Sequence, residues 1–280
     1  MDAPETTRFR LTVHYDGSAF HGWQVQPAHR TVQGELEAAL SRIADRPRTV
    51  IGSGRTDSGV HATGQVASVD MPRPWTAERL LGSLNALLSG DVWVANAQPV
   101  SSGFHPRYDA LRRTYRYEIG LRPECRSPFH RRWCWPLDEV HEREPLERER
   151  LELAASTILG EHSFRAFAKA GQPERGYRCR VDAVEWGETA LGLRMTITAD
   201  RYLHHMVRYL VGTMVDIARG RRPAEDMARL LGADTDAVTS PPAPSEGLFL
   251  HRVEYPGDAA TVRPEPSEFV YPSSRSDLSA

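Results

Sequence analysis

Strand-like alternating segments and segments of helical periodicity follow each other in mixed order through both halves of this 280-residue chain. Residues 8–15 alternate between polar and apolar side chains, which is typical of a half-buried strand. Residues 32–43 carry apolar side chains three or four positions apart behind Thr31, a favourable helix N-cap. Such an order restricts the chain to the α+β class, with a largely antiparallel mixed sheet.

The same patterns set the expected boundaries of the other elements. A tight turn is expected near Gly187, and the tail beyond residue 256 is rich in Pro, Ser and acidic residues without periodicity. We therefore expect two similar lobes, residues 1–104 and 105–256, and a mobile tail at 257–280. Further strands are predicted at residues 65–70, 92–95, 113–119, 181–186, 191–199 and 248–253, and further helices at 76–88, 146–159 and 202–219.

The composition is that of a globular protein of the cytoplasm. Hydrophobic residues make up 40% of the chain and charged residues 26%. We see no leader pattern and no apolar run of membrane-spanning length, so neither secretion nor membrane insertion is expected. Cys125, Cys134 and Cys179 lack metal-ligand or redox spacing, which favours a reducing compartment.

The charge is unevenly distributed although the net charge is only −2. Residues 105–132 contain eight arginines and three acidic residues, and acidic segments elsewhere cancel the excess. A local basic surface of this kind can bind nucleic-acid phosphates, although a solvated arginine-rich surface is the alternative. The arginines concerned are Arg107, Arg112, Arg113, Arg116, Arg122, Arg126, Arg131 and Arg132.

Residues 52–59 combine three glycines with one carboxylate, that of Asp57. The spacing is neither that of a phosphate-binding P-loop nor that of a dinucleotide fingerprint. Arg55 stands two residues before Asp57, and a nearby guanidinium keeps a carboxylate ionised and holds it through charge-assisted hydrogen bonds. The alternative is an ion pair that only shapes the turn.

This loop and five other motifs resemble the tRNA pseudouridine synthase A (TruA) family. The resemblance extends to about Pro256, and the motifs occur in the family's order. In this sequence they read YDGSAFHGWQ (15–24), TVQGELE (31–37), GRTDSGVHATGQV (54–66), RTYRY (113–117), LHHMVR (203–208) and GLFL (247–250).

The resemblance implies a pseudouridine synthase fold with a central catalytic cleft, and it implies a role for four residues. Asp57 is the implied catalytic residue, Arg55 and Arg208 are arginines that line the same site, and Tyr115 packs against the target base. The implied substrate is the anticodon arm of tRNA at positions 38, 39 and 40. A homodimer is implied as well.

The chemistry of uridine isomerisation fits a single carboxylate. Cleavage of the C1′–N1 bond develops positive charge at C1′, which a carboxylate can stabilise or trap. Because uracil is never released, arginine donors and one aspartate suffice, and we expect no cofactor and no metal. Attack of Asp57 at C1′, attack at ring C6 and abstraction of a sugar proton remain alternatives. The target base must flip out of its helix stack to reach the cleft.

Four residues have competing interpretations. Tyr115 either stacks on the base or is a core tyrosine, and its ordinary pKa near 10 makes it a reluctant base. Arg208 lies within an apolar helix pattern and needs a carboxylate partner, so we predict a contact with Asp57. A metal site at His204 and His205 is not expected, because adjacent helical histidines point to different faces.

Two other functions compete with the tRNA synthase. One is an RNA-binding protein without catalytic activity, for which loss of Asp57 would have no effect. The other is a pseudouridine synthase of a different substrate class, which the extended motif at 54–66 disfavours.

Overall fold

The chain forms one ten-stranded sheet with six helices over the residues that this computed structural model describes, 6–169, 176–232 and 237–258. The first half contains β1 (Thr6–Tyr15), α1 (Val32–Ala44), β2 (Ile51–Gly52), β3 (His61–Pro72), α2 (Ala77–Leu87) and β4 (Val92–Val100). The second contains β5 (Arg112–Gly120), β6 (Trp135–Pro136), α3 (Asp138–Arg143), α4 (Arg148–Thr157), β7 (Gly160–Ser163), β8 (Arg178–Thr189), β9 (Gly192–Ala199), α5 (Met206–Ala218), α6 (Asp226–Leu231) and β10 (Leu248–Glu254). This confirms the predicted α+β class.

The strand order is β4-β1-β3-β10-β5-β9-β8-β7, with β2 on β3 and β6 on β5. Among the described strands, only the pairs β3–β10 and β5–β6 are parallel. The β3–β10 pair joins the two halves, with Phe249 opposite His61 and Leu250 opposite Ala62. The last strand therefore lies between the strand after the Asp57 loop and the strand that carries Tyr115.

Local sequence explains the elements of the first half. Every second side chain of β1 from Phe9 onward is buried, as the alternation predicts. The Thr31 hydroxyl caps α1 by accepting a hydrogen bond from the Gly34 N–H, and Thr76 caps α2 in the same way. The inward faces of both helices pack into the core, where each fully buried leucine contributes about 1.5–3 kcal/mol.

Three predicted boundaries are wrong. The turn between β8 and β9 lies after Thr189, and Gly187 is a strand residue opposite Arg194. The helix predicted at 146–159 begins at Arg148, after a separate short helix, α3. The helix predicted from residue 202 begins at Met206, because residues 202 and 203 are irregular and residues 204 and 205 form a turn.

Two further expectations were partly correct. The strand predicted at 65–70 extends back to His61. The leucines of the helix predicted at 76–88 are spaced to face the core, and the positions concerned are Leu80, Leu81, Leu84, Leu87 and Leu88. Leu80 and Leu84 are buried, whereas Leu87 is exposed. Nothing in the structure tests the division into lobes at 104/105, which stays a prediction.

The end of the described chain is held against β1. The carboxylate of Asp258 accepts hydrogen bonds of 2.7 and 2.9 Å from the guanidinium of Arg10. The predicted mobile tail falls almost wholly on residues 259–280, outside the described residues. No helix in the described ranges combines the length and apolar character required to span a membrane.

Candidate active site

Asp57 lies in the loop of residues 53–60, here called the aspartate loop, between β2 and β3. Its carboxylate is about a quarter exposed and faces the turn that precedes α5. The site therefore forms where the first half of the chain meets the N-terminus of a helix from the second half.

Hydrogen bonds to the sheet and to residues 15–24 hold the aspartate loop. The Trp23 N–H donates to the Thr56 carbonyl at 3.0 Å, and the Tyr15 and Thr56 hydroxyl oxygens lie 2.8 Å apart. The Ser53 hydroxyl donates to Oε1 of the buried Gln65 at 2.7 Å. After Asp57, the Gly59 N–H donates to the Phe20 carbonyl at 3.3 Å. Because the backbone is held on both sides of Asp57, its carboxylate is positioned before substrate arrives.

Two glycines of the motif at 15–24 allow this close packing. A Cβ at Gly22, where φ is +88°, would lie 2.5 Å from the Thr56 carbonyl oxygen. A Cβ at Gly17 would lie 2.0 Å from the carbonyl oxygen of Val60. Only glycine fits at either position, so this motif supports the aspartate loop sterically.

Two histidines and one arginine surround the Asp57 carboxylate. Nε2 of His204 lies 3.1 Å from Oδ1, and Nε2 of His205 lies 3.3 Å from Oδ2. Nη1 of Arg208 lies 3.9 Å from Oδ2. The predicted contact between Arg208 and Asp57 is therefore present as an ion pair.

Arg208 is held in place by the chain segment before β10. Its Nε donates to the Ala243 carbonyl at 2.7 Å, and the Ala243 N–H donates to the Arg208 carbonyl at 2.9 Å. Its side chain is only 16% exposed. Arg208 thus links the Asp57 carboxylate to the backbone of the segment that precedes β10.

Arg55 takes a different position from the one expected. Its Nε donates to Oε1 of Gln24 at 3.1 Å, and the residue is exposed. Within the described residues, no ion pair joins Arg55 to Asp57. The expectation that Arg55 holds Asp57 by a direct charge-assisted hydrogen bond was wrong, because the guanidinium turns toward the 15–24 segment.

The two histidines are the residues that sequence reasoning missed. They precede α5, and His205 has a left-handed backbone with φ of 64°. The argument that helical neighbours point apart therefore does not apply, and both rings reach Asp57. Because Leu203 and Met206 fit the helical spacing, the sequence pattern gave no sign of the turn between them. The only sequence signal that included these histidines was the LHHMVR motif as a whole.

Tyr115 is a buried residue of β5 that contacts a second tyrosine. Its ring meets the ring of Tyr202 edge-on, with centroids 4.8 Å apart. Burial raises the pKa of Tyr115 to about 12; the Arg113 guanidinium lowers it, and the charge of Asp57 raises it further. Tyr115 is therefore a neutral aromatic surface on the Asp57 side of the sheet.

The arginines of residues 105–132 do not act as one surface. Arg113 donates to the carbonyls of Ser53, Arg107 and Asp200, and burial lowers its pKa. It therefore fastens β5 to the aspartate loop, with its guanidinium bonded to three backbone carbonyls. Arg112 and Arg126 pair with carboxylates. The exposed arginines for which no carboxylate partner is seen in the described ranges are Arg107, Arg122, Arg131 and Arg132.

Comparison with known proteins identifies the family of this site. The family profile described as tRNA pseudouridine synthase matches residues 11–109 and 154–256, which together exceed half of the chain. The chain belongs to the tRNA pseudouridine synthase family. Among similar proteins named tRNA pseudouridine synthase A, that of Moorella thermoacetica is 40% identical over 88% of this chain and 98% of its own. The protein of that name from Rhodopseudomonas palustris is 39% identical over 89% of this chain and 98% of its own.

Membership decides between the functions that the sequence left open. Members of the pseudouridine synthase family are isomerases, so the predicted enzyme class is confirmed. An RNA-binding protein without catalysis no longer explains the chain, because the match to named synthases covers almost their whole length.

Proposed function

We propose that this protein isomerises uridine to pseudouridine at positions 38, 39 and 40 in the anticodon arm of tRNA, with Asp57 as the catalytic residue. The observation that carries the proposal is the carboxylate of Asp57, held between the aspartate loop and the start of α5 with Arg208 3.9 Å away. Family membership supplies the reaction, and this geometry supports the assignment to one residue.

The reaction is a rearrangement within one nucleotide. The C1′–N1 bond breaks with its electron pair going to uracil, the base turns, and a C1′–C5 bond forms. The C5 proton leaves and N1 takes up a proton, so atoms and electrons balance without an oxidant or reductant. The carboxylate of Asp57 stabilises or traps the positive charge that develops at C1′.

The surroundings of Asp57 orient its carboxylate. With the ring protons on Nε2, His204 donates to one carboxylate oxygen and His205 to the other. Arg208 adds positive charge on the Oδ2 side, where charge on the separated uracil can also be stabilised. A fixed carboxylate contributes to the rate because it needs no reorganisation when the substrate arrives.

Tyr115 provides a surface for the extruded base. Its ring is braced by Tyr202, whose hydroxyl donates to the Ile197 carbonyl at 2.9 Å. A rigid aromatic ring can stack on uracil whichever way the base is rotated in its own plane. It therefore permits the rotation of the base that the reaction requires. Base flipping from the anticodon stem is part of the proposal.

Exposed arginines supply the contact to RNA phosphates. Arg131 and Arg132 lie in the segment before β6, and Arg107 and Arg122 flank β5. Such contacts position RNA without reading its sequence. We further propose a homodimer and a cytoplasmic location, the first of which analytical ultracentrifugation tests by finding twice the mass of the chain.

The target positions can be tested with tRNA transcripts labelled with tritium at C5 of uridine. Three transcripts each carry uridine at only one of positions 38, 39 and 40, and a fourth carries cytidine at all three. The first three release tritium and the fourth does not. Equal release from the fourth transcript would contradict the proposed positions, although it would leave pseudouridine formation intact.

A further inference from the structure

Three metal-ligating atoms converge at the mouth of the site: a carboxylate oxygen of Asp57 and one ring nitrogen each of His204 and His205. All three atoms lie within 4.8 Å of one another. His204 Nε2 lies 3.1 Å from Oδ1 of Asp57, and His205 Nε2 lies 3.3 Å from the other carboxylate oxygen, Oδ2. We call these residues the Asp57–His204–His205 cluster.

These separations suit a tetrahedral transition-metal ion. Zn²⁺ binds imidazole nitrogen and carboxylate oxygen at about 2.0–2.2 Å, which places neighbouring ligands about 3.3 Å apart in a tetrahedron. The Nε2 atoms of His204 and His205 each already lie close to that distance from one of the two carboxylate oxygens. Three protein ligands leave the fourth position open for water, as in sites that exchange their ligand.

The backbone around both histidines is anchored on either side. The His204 carbonyl accepts a hydrogen bond from the Lys169 N–H at 3.0 Å, and the His205 carbonyl accepts one from the Tyr209 N–H at 3.1 Å. Since the aspartate loop is also fixed, the three ligands are arranged in advance. The His204 side chain is 57% exposed, so an ion can enter from solvent.

The types of ligand atom and the nearby charges indicate which metal ions the cluster can bind. Mg²⁺ and Ca²⁺ require more oxygen ligands than this cluster offers, whereas imidazole suits Zn²⁺, Co²⁺ and Ni²⁺. Arg208, 3.9 Å from Oδ2, opposes a dication, but its guanidinium is also tied to the Ala243 carbonyl. We expect reversible binding rather than a permanently held ion.

We propose that the Asp57–His204–His205 cluster binds Zn²⁺, or an ion of the same class, with water in the fourth position. One consequence rests on the proposed function. An ion held there occupies the carboxylate oxygens that the uridine needs, so Zn²⁺ inhibits pseudouridine formation reversibly.

Titration of the chelator-treated full-length protein with Co²⁺ tests the site itself. The expected result is the intense visible absorption of four-coordinate Co²⁺ at one equivalent, which Zn²⁺ then displaces. His204→Gln and His205→Asn each remove a ligand, and asparagine tolerates the left-handed backbone at 205. Each variant should lower the Co²⁺ affinity by at least about tenfold.

His162→Gln is the matched control, because His162 is a histidine whose ring contacts only the Leu159 carbonyl and the Phe164 ring among the described groups. It should bind Co²⁺ as the wild type does. Circular dichroism confirms that all variants are folded. Absorption of six-coordinate Co²⁺ alone, or an affinity unchanged by His204→Gln, would overturn the site.

An activity measurement separates this inference from the proposed function. Zn²⁺ should suppress tritium release by the wild type, and a chelator should restore it. If Co²⁺ binds but Asp57→Asn remains active, the site stands and the catalytic assignment fails. If activity depends on Asp57 but no four-coordinate Co²⁺ forms, the catalytic assignment stands and the metal site fails.

Discussion

The charge around Asp57 comes from α5 and the turn before it rather than from the aspartate loop. Arg208 and the two histidines reach the carboxylate, whereas Arg55 donates to Gln24. Two arginines that the family motif places in one site therefore have different partners. Their substitution should separate an effect on catalysis from an effect on RNA binding.

Lysine at each position keeps the charge and loses the guanidinium geometry. Arg208→Lys removes the hydrogen bond to Ala243 and shifts the charge near Asp57, so we expect kcat to fall about 10- to 100-fold. Arg55→Lys should raise KM for tRNA and change kcat little. Steady-state kinetics of both variants test this, and a larger loss of kcat in Arg55→Lys would contradict the assignment.

Tyr115 should act as a neutral aromatic ring. Since burial raises its pKa to about 12, the phenol stays protonated as the pH rises through 10. We expect the pH profiles of kcat for the wild type and Tyr115→Phe to run parallel between about pH 8 and 10. Tyr115→Ala, which removes the ring, should lose far more activity than Tyr115→Phe. An alkaline change present in the wild type and absent from Tyr115→Phe would show that the hydroxyl titrates in catalysis.

Motif matching singled out Asp57, Arg208 and Tyr115 because each occupies a recognisable position in a linear pattern, and the predicted contact of Arg208 with Asp57 is present. It was not sufficient to find the histidine contacts or the Gln24 partner of Arg55. Those depend on backbone conformation, above all the left-handed residue His205, which side-chain periodicity does not encode.

At the scale of elements, the aspartate loop is supported by the turn between β1 and α1. Gly22, with φ of +88°, lets the Thr56 carbonyl pass close to the backbone. Gly82 lies on the exposed face of α2, and a Cβ added there would meet no described atom within 4 Å apart from those of its chain neighbours and the backbone of its own helix. These two glycines therefore form a matched pair for testing whether backbone packing at the loop is required.

Gly22→Ala should lower the free energy of unfolding by more than about 1 kcal/mol, because the new methyl group meets a backbone oxygen at a strained φ. Gly82→Ala should raise it by about 0.5–1 kcal/mol, because alanine is the better helix former. Urea denaturation measures both. Equal stability of the two variants would show that the loop adjusts freely.

Elements were predictable where a cap or a strict period marked them. Thr31 marked the start of α1 correctly, the helix predicted from residue 76 begins at Ala77, and alternation located β1 and β5 within two residues. Errors arose where the pattern continued past a structural break. Glycine is a common turn residue, but Gly187 pairs with Arg194 within the sheet. The residues before and after it, Trp186 and Glu188, pair with β9 in the same register.

At the scale of the whole molecule, the parallel pairing of β10 with β3 brings the two halves of the site together. This pairing joins residues that are far apart in the sequence, and no local sequence pattern predicts it. The class of fold was accessible from element order, whereas the strand order was not. The sequence also could not show which arginines are exposed and unpaired, because that depends on contacts between residues far apart in the chain.

Binding of tRNA should depend on the exposed arginines that precede β6. Arg131→Ala with Arg132→Ala should weaken binding and reduce the slope of log Kd against log salt concentration by about 1–2, because two phosphate contacts are lost. Replacing the exposed Arg42 and Arg46 at the end of α1 by alanine is the control and should leave the slope unchanged. Filter binding over a range of salt concentrations measures both slopes, and an equal reduction in the two double variants would contradict the proposed interface.

The central claim is that Asp57 performs the isomerisation, and tritium release from C5-labelled tRNA tests it most directly. Asp57→Asn keeps the size of the side chain, and Asp216→Asn makes the same change about 12 Å further along α5 from Arg208. Asp57→Asn should bind tRNA but release tritium only at the level of the sample without enzyme, whereas Asp216→Asn should match the wild type. Release by Asp57→Asn equal to that of the wild type would contradict the account.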